Sequence, residues 1–219
     1  KVRQIEEYYA QCELEGANEH QVEESQKAVA KMEVIIGDPD RLRAVAEDFI
    51  KHYETRVAEG ATVAGKAMFV CSNRNIAYDF YKIVKELRPE WTEKKICDDG
   101  VVLSEKDKKE LKPMEKIKLV MTRNKDDEKD LFDMLGTKED RKEFDRQFKN
   151  PKSNFKIAIV VDMWLTGFDV PELDTIYIDK PIQQHTLIQT ISRVNRVCEG
   201  KDNRYQEKYE HCPQEIYEF

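Results

Sequence analysis

The stretch that decides the fold class is FKIAIVV at Phe155–Val161. Apart from Lys156, its side chains are all apolar, whereas a strand with one solvated face would alternate apolar and polar residues. Such a run is typical of a strand that is covered on both faces. The sequence therefore predicts that this strand lies at the centre of a sheet with helices on both faces.

Short apolar runs before and after this strand predict the rest of the sheet. They are Ala67–Cys71, Ile117–Met121 and Thr175–Asp179. Amphipathic segments alternate with these runs, which is the pattern of a parallel sheet whose strands are connected by helices. The sequence therefore predicts an α/β protein.

Apolar residues at helical spacing predict the helices. Ile76, Phe80 and Val84 share one face of a helix that follows the first strand, and Pro89 ends it. An earlier helix has its apolar positions at spacings of three and four. Those positions are Leu42, Val45, Ala46, Phe49, Ile50 and Tyr53.

A further helix is predicted to begin at Thr137. Asp140 follows three residues later, which resembles a capping box, and Phe144 and Phe148 supply a face to bury. The pattern of alternating strands and helices starts near residue 66. We therefore expect a helical lead-in over 1–65, an α/β domain over 66–198 and the start of a C-terminal helical region over 199–219.

The composition limits the kinds of protein that this chain can be. It has 219 residues, 37% of them charged, and a formal net charge of -7. Domains that grip nucleic-acid phosphates usually carry a basic excess, so any contact with DNA is expected through a local patch.

The sequence shows neither a signal peptide nor an apolar stretch long enough to span a membrane, which favours the cytoplasm. Its five cysteines have no paired spacing and are expected to be reduced, and no metal site is expected.

The segment from about Thr186 to Val197 carries the sharpest chemical pattern. Gln189, Arg193 and Arg196 stand at i, i+4 and i+7, so on a helix they form one narrow stripe. Two guanidinium groups on such a stripe suit a phosphate, because arginine offers a planar fork of donors and keeps its charge. The alternative is an ordinary solvated helix face.

The loop at 162–171 follows the central strand. Open α/β sheets bind ligands at the carboxyl ends of their strands, so this loop is a candidate ligand loop. Gly167 would let the backbone approach a phosphate, Thr166 offers a hydroxyl to nucleic-acid phosphate, and Asp169 could accept from a ribose hydroxyl. The alternative is a tight turn.

Two other strands are also followed by polar side chains. Ser72, Asn73 and Arg74 follow the first strand, and Thr122 and Arg123 follow the second. These groups could hold a nucleic-acid backbone without reading its bases. Capping of the next helix by Ser72 or Asn73 explains the same residues equally well.

Three stretches together resemble a known family. KAMFVCSNRNIAYDFYK, FKIAIVVDMWLTGFDVPELDTIYIDKP and HTLIQTISRVNR look like motifs IV, V and VI of superfamily 2 helicases, in the form used by the R subunits of type I restriction enzymes. The resemblance covers roughly residues 60–200. It implies the second RecA-like helicase domain, with a P-loop NTPase-like fold. Val161 departs from the helicase pattern, which often has Thr there.

The resemblance also implies roles for individual residues. Arg196 would be the arginine finger and Arg193 a second phosphate contact, both of them catalytic. Gln189, Gly167 and Asp169 would contact ATP. The cofactors would be ATP and Mg²⁺, bound mainly by a first motor domain outside this sequence. The DNA contacts expected are Ser72, Arg74, Thr122 and Thr166.

The parent protein implied by the resemblance is a type I site-specific deoxyribonuclease that translocates DNA at the expense of ATP and then cleaves it. Its partners would be the backbone of double-stranded DNA, the first RecA-like domain of the same chain, and the modification and specificity subunits. The isolated chain is expected to be inactive, because the phosphate loop, the acidic box and the nuclease site are missing from it. Two alternatives are a non-catalytic α/β protein-interaction module and the motor domain of another superfamily 2 DNA helicase.

One motif is interpreted as coincidental. Gly60–Ala67 matches G-x-x-x-x-G-K, but it ends in Ala where the metal-binding Ser or Thr should stand. A phosphate loop follows a strand and opens a helix, whereas this segment follows a helix and opens a strand. It is predicted to be a connector. A Rossmann oxidoreductase is excluded as well, because no G-x-G-x-x-G follows a strand.

Overall fold

The computed structural model describes residues 34–62, 64–164, 170, 172–180 and 216–218. The chain divides into two compact units, Lys1–Arg41 and Leu42–Phe219. In the first unit the described part is 34–41, where the Asp38 carboxylate accepts a hydrogen bond from the Arg41 backbone N–H at 3.0 Å and caps the helix that Pro39 begins. No helix in the described ranges is both long and apolar enough to cross a bilayer.

The described helices and strands follow the predicted alternation. The helices are α1 (Pro39–Ala58), α2 (Arg74–Leu87), α3 (Glu105–Glu110), α4 (Lys129–Leu135) and α5 (Lys138–Lys149), and Pro89–Thr92 forms a 3-10 helix. The strands are β1 (Lys66–Cys71), β2 (Ile117–Leu119), β3 (Ile157–Val160), β4 (Leu173–Asp179) and β5 (Ile216–Glu218).

The strands form one parallel sheet in the order β2-β3-β1-β4-β5. Strand β3 lies between β2 and β1, and Ile157 is in register with Ile117 on one side and with Ala67 on the other. All four residues of β3 are buried. The prediction of a central strand covered on both faces is therefore confirmed.

Helices α1 and α2 cover one face of the sheet. Phe69 of β1 and Tyr177 of β4 are in register and stack with their ring centroids 6.1 Å apart. Phe49 of α1 meets Tyr177 edge-on at 4.7 Å, and Phe80 of α2 stacks on Phe69 at 3.9 Å. Aromatic pairs of this kind add about 0.5–1.5 kcal/mol beyond the burial of their area, so they fix both helices on the sheet.

Helix α5 covers the opposite face. Side chains alternate along a strand, so Met68 points away from the Phe69 side and joins a second apolar cluster with Val160. Phe144 and Phe148 of α5 complete that cluster. The prediction of helices on both faces of a parallel sheet is confirmed.

The apolar face predicted for the helix before the sheet matches the buried face of α1. The buried residues are Leu42, Val45, Ala46, Phe49, Ile50 and Tyr53. The compact unit that contains the sheet begins at Leu42, whereas the sequence suggested a division at 65/66. The domain limits inferred from the sequence stay predictions.

The predicted helix caps are present. Thr137 accepts a hydrogen bond from the Asp140 N–H at 3.2 Å, and the Asp140 carboxylate accepts from the Thr137 N–H at 2.7 Å, so the capping box of α5 is complete. At α2 the cap is Asn73, whose side chain accepts from the Ile76 N–H at 3.0 Å. Ser72 is thereby left without a capping role.

The segment at Gly60–Ala67 is a connector, as predicted. It follows α1, and β1 begins at Lys66. Gly65 has φ +65°, the left-handed region that favours glycine. Lys66 is 1% exposed, and its side-chain nitrogen donates to the Phe155 carbonyl at 2.5 Å. It lies at the amino end of β1, opposite the end at which a parallel sheet presents its ligands.

The tail differs from expectation where it is described. Residues 199–219 were expected to begin a helical region, but Ile216–Glu218 form a strand that pairs in parallel with β4. Pairing at this edge satisfies the backbone donors and acceptors of β4. The tail is charged and has no apolar period, so its sequence did not predict a strand. The strand is defined by its pairing with β4.

Candidate functional site

The carboxyl ends of β1, β2, β3 and β4 meet at one edge of the sheet because the strands are parallel. We call this the carboxyl edge. Polar residues follow each of these strands directly or within three positions: Ser72, Thr122, Asp162 and Lys180. The predicted site residues Ser72, Arg74 and Thr122 therefore belong to one edge.

The other predicted site residues lie outside the described residues. They are Arg193, Arg196, Gln189, Gly167, Asp169 and Thr166. Their roles stay predictions.

Arg74 makes the most specific contacts of the predicted residues. One terminal nitrogen of its guanidinium, Nη1, donates to the Thr122 carbonyl at 2.6 Å. The other, Nη2, lies 2.5 and 2.6 Å from the two carboxylate oxygens of Asp127. Since β3 separates β1 from β2, this side chain connects the ends of two strands that are not neighbours.

Asp127 is a site residue that the sequence did not reveal. Its carboxylate also accepts a hydrogen bond from the Asn124 N–H at 2.7 Å. The side chain of Asp127 is 6% exposed and that of Arg74 is 19% exposed, so the ion pair is largely shielded from water. In the sequence Asp127 stands among other acidic residues, and nothing distinguishes it from Asp126 before the fold brings Arg74 to it.

Ser72 and Thr122 differ in how they are exposed. Thr122 is exposed. The Ser72 hydroxyl oxygen is buried, and in the described part of the chain it has no hydrogen-bond partner. Buried hydroxyls are nearly always satisfied, and an unsatisfied one costs about 1–3 kcal/mol, so Ser72 has an unused hydrogen-bonding capacity at this edge.

Arg123 points elsewhere. Its guanidinium carbon lies 4.3 Å from the centroid of the Phe132 ring in α4, a cation–π contact. This contact holds the chain after β2 against α4. Arg123 therefore has a packing role, and the neighbouring Thr122 presents its side chain to solvent.

A second bridge joins two other strand ends. Lys180 follows β4, and its ammonium donates to the Val161 carbonyl at 3.0 Å and to the Asp162 carboxylate at 3.1 Å. Strand β1 lies between β3 and β4, so this bridge also passes over an intervening strand. The Lys180 side chain is 14% exposed and that of Asp162 is 64% exposed. Sequence reasoning missed Lys180, because a lysine after a strand is ordinarily solvated.

Cys71 ends β1 at the same edge. Burial raises the pKa of its thiol, and the nearby Asp179 carboxylate raises it further. The thiol is therefore protonated, and a protonated buried thiol is a poor nucleophile. The chemistry available here is hydrogen bonding and charge, supplied by Ser72, Thr122, Arg74 and Lys180.

These features define a class of protein. An open parallel α/β sheet presents its ligands at the carboxyl edge, and here that edge collects hydroxyl side chains and cations that are paired with carboxylates. Residues 63–207 match the family model described as type I restriction enzyme subunit R domain 3. The chain therefore belongs to the type I restriction enzyme R subunit family.

Curated relatives agree with this assignment. The type I restriction enzyme HindI endonuclease subunit of Haemophilus influenzae is 36% identical over 179 residues, which is 82% of this chain and 15% of the relative. A Methanocaldococcus jannaschii protein described as the MjaIXP endonuclease subunit of a type I restriction enzyme is 38% identical over 187 residues, 84% of this chain and 15% of the relative. The chain thus spans about 15% of the length of these relatives.

Among solved structures, the Pyrococcus furiosus Hef helicase domain is similar to this chain with a TM-score of 0.37 and 17% sequence identity. The match covers 98% of this chain and 33% of that structure.

Proposed function

We propose that this chain is the second RecA-like motor domain of a longer type I restriction endonuclease subunit. That subunit would couple ATP hydrolysis to movement along double-stranded DNA and then cleave the DNA. One observation carries the proposal: β1, β3 and β4 end at one edge. The sequence that resembles motif IV begins with β1, the one that resembles motif V contains β3 and β4, and the one that resembles motif VI comes after β4. Family membership supports the same conclusion.

In this proposal the chain supplies one half of an ATP site. ATP and Mg²⁺ would be held mainly by a first motor domain, and Arg196 and Arg193 would reach the phosphates from this chain. A guanidinium beside a transferring phosphoryl group stabilises the negative charge that is spread over its oxygens. Gln189, Gly167 and Asp169 would position the nucleotide. These five roles rest on the sequence.

The proposed DNA contacts lie at the carboxyl edge. Thr122 is exposed, whereas the Ser72 hydroxyl is buried, has no partner in the described part of the chain and would have to become accessible to take part. Hydroxyl groups of this kind hold the sugar-phosphate backbone in register without reading bases. Because the net charge is -7, DNA would meet a local patch and not the whole surface. Target choice would then fall to specificity and modification subunits.

The test replaces Arg196 by Ala in the full-length subunit, assembled with its partner subunits. We expect DNA-stimulated ATP hydrolysis to fall by about 10³- to 10⁵-fold, the range seen when an arginine finger is removed. Binding of DNA should remain. The measurement is steady-state phosphate release with and without duplex DNA.

A matched control is Arg146→Ala. Arg146 lies on α5, and its guanidinium pairs with Glu143 at 2.6 Å on the surface. Exposed pairs of this kind contribute about 0.2–1 kcal/mol to stability, so hydrolysis should change little. Near-normal hydrolysis in Arg196→Ala would contradict the proposal and favour a non-catalytic interaction module.

A further inference from the structure

The guanidinium of Arg74 is already engaged by the protein and is not available to bind a DNA phosphate as it stands. Its guanidinium faces the Asp127 carboxylate at 2.5 and 2.6 Å, and the same side chain donates to the Thr122 carbonyl. The charge of Arg74 is thereby balanced inside the protein. To reach a DNA phosphate it would have to leave a carboxylate that is 6% exposed, and that carboxylate would then be buried without a partner.

Asp127 closes the loop that leads away from β2. Its carboxylate accepts from the Asn124 N–H inside residues 122–127, which we call the Thr122 loop. Arg74 holds both ends of this loop, at the Thr122 carbonyl and at Asp127. Arg74 therefore ties both ends of the loop to the carboxyl end of β1, while Arg123 holds the loop against α4.

We infer that the Arg74–Asp127 pair is a positioning device that holds the Thr122 loop at the carboxyl edge, so that the loop and not the Arg74 guanidinium meets the DNA backbone. This inference rests on the proposed function. It revises the role predicted for Arg74 from the sequence: Arg74 is a positioning residue, and the phosphate contacts come from the exposed Thr122 side chain and its loop.

The substitution Asp127→Asn distinguishes the two possible roles of Arg74, direct phosphate binding and positioning of the loop. If Arg74 bound phosphate directly, removing a negative charge beside it would leave DNA binding unchanged or make it tighter. If the pair positions the loop, the same substitution weakens DNA binding as much as Arg74→Ala does. We expect each variant to bind DNA with about tenfold lower affinity, which is within the range of interaction energies measured for neighbouring residues that are coupled. The measurement is fluorescence anisotropy of a short labelled duplex without a recognition site, titrated with the full-length subunit.

The salt dependence of binding gives a second, independent readout. A lost arginine–phosphate contact lowers the slope of log affinity against log salt by about one. In this inference the contact is the uncharged Thr122 hydroxyl, so Arg74→Ala removes no cation from the interface and should keep the wild-type slope; the exposed Lys125 of the same loop is left in place in every variant. The double variant Arg74→Ala with Asp127→Ala should bind no worse than either single variant, because both changes release the same loop.

The substitution Arg74→Lys shows whether weaker DNA binding could come merely from a folding defect. Lysine can keep an ion pair with Asp127 but cannot also donate in the planar geometry that reaches the Thr122 carbonyl. We expect weaker DNA binding at an unchanged thermal unfolding midpoint, whereas a direct phosphate contact would tolerate lysine. Arg146→Ala serves as the charge-matched control and should bind DNA as the wild type does.

The outcomes distinguish this inference from the proposed function. If the wild-type subunit shows no DNA-stimulated ATP hydrolysis, the proposed function is wrong and the inference falls with it. If the wild type is active and Asp127→Asn binds DNA as well as or better than the wild type, only the positioning role is overturned. Weaker binding in Asp127→Asn and Arg74→Lys, with the wild-type salt slope, supports it.

Discussion

The two edges of the same sheet use their cations differently. At the amino edge Lys66 is enclosed: it donates to the Phe155 carbonyl and lies 5.2 Å from the centroid of the Phe148 ring. The Lys116 side-chain nitrogen lies 5.7 Å from the centroid of the Tyr53 ring and 5.6 Å from that of the Trp91 ring. At the carboxyl edge Arg74 and Lys180 instead connect strand ends.

Electrostatics separates the two edges as well. Burial lowers the pKa of Lys66 well below its ordinary value, and the neighbouring Lys156 lowers it further. Burial also lowers the pKa of Lys116. At the carboxyl edge Arg74 is instead paired with the Asp127 carboxylate. The lysines of the amino edge are therefore packed inside the protein, whereas the carboxyl edge carries ion pairs and a Ser72 hydroxyl that has no hydrogen-bond partner among the described residues.

The largest expected difference is between Lys66→Met and Arg196→Ala, and it tests whether the amino edge is only structural. Lys66 occupies the lysine position of the G-x-x-x-x-G-K match. In the full-length subunit Lys66→Met should leave ATP hydrolysis within about twofold of the wild type, against the 10³- to 10⁵-fold loss expected for Arg196→Ala. Methionine keeps the length and apolar stem of the side chain. The measurement is the steady-state rate of ATP hydrolysis. A large loss of this rate in a Lys66→Met variant that is still folded would mean that the motif is a genuine phosphate loop.

The next effect is a pH dependence of stability. The folded pKa of Lys66 is depressed, so between that pKa and the ordinary value of 10.5 the unfolded chain binds more protons than the folded chain. The free energy of unfolding should therefore rise with pH in this window, by at most about 1.4 kcal/mol per pH unit for one group. Cys71 opposes this trend above about pH 9 and Tyr53 above about pH 10, because the raised folded pKa of each group makes it ionise first in the unfolded chain; both contributions are the same in the variant and the wild type.

Urea unfolding of this chain at a series of alkaline pH values below 10 measures that slope. Lys66→Met should flatten the slope, while the contribution of Lys116, which has the same sign, remains. A slope that is equal in the variant and the wild type would show that the Lys66 amine is charged in the folded protein.

The smallest effect concerns the second bridge of the carboxyl edge. Lys180→Met removes hydrogen bonds to the Val161 carbonyl and the Asp162 carboxylate. We expect a loss of about 1 kcal/mol in the free energy of unfolding, because the Lys180 side chain is largely buried but Asp162 is exposed. Arg146→Ala should cost less than half of that. Urea denaturation compares the two, and equal losses would mean that the bridge is no stronger than a surface pair.

Much of the fold could be predicted because local rules agree with tertiary burial. The run Phe155–Val161 is apolar at nearly every position, and the strand within it lies between two others and is covered on both faces. The capping box of Thr137 and Asp140 was evident because capping depends on residues three apart in sequence. The tail at Ile216–Glu218 was not evident, because pairing with β4 is a contact between distant parts of the chain.

The sequence by itself determined the parallel α/β class, the buried face of α1 and the positions at which polar residues follow the strands, since these depend on periodicity and on near neighbours. Only the tertiary structure decided the strand order β2-β3-β1-β4-β5, which brings Arg74 to Asp127 and Lys180 to Asp162. The physical reason is that an ion pair requires proximity and shielding from water, and both arise only when strands distant in sequence end at the same edge.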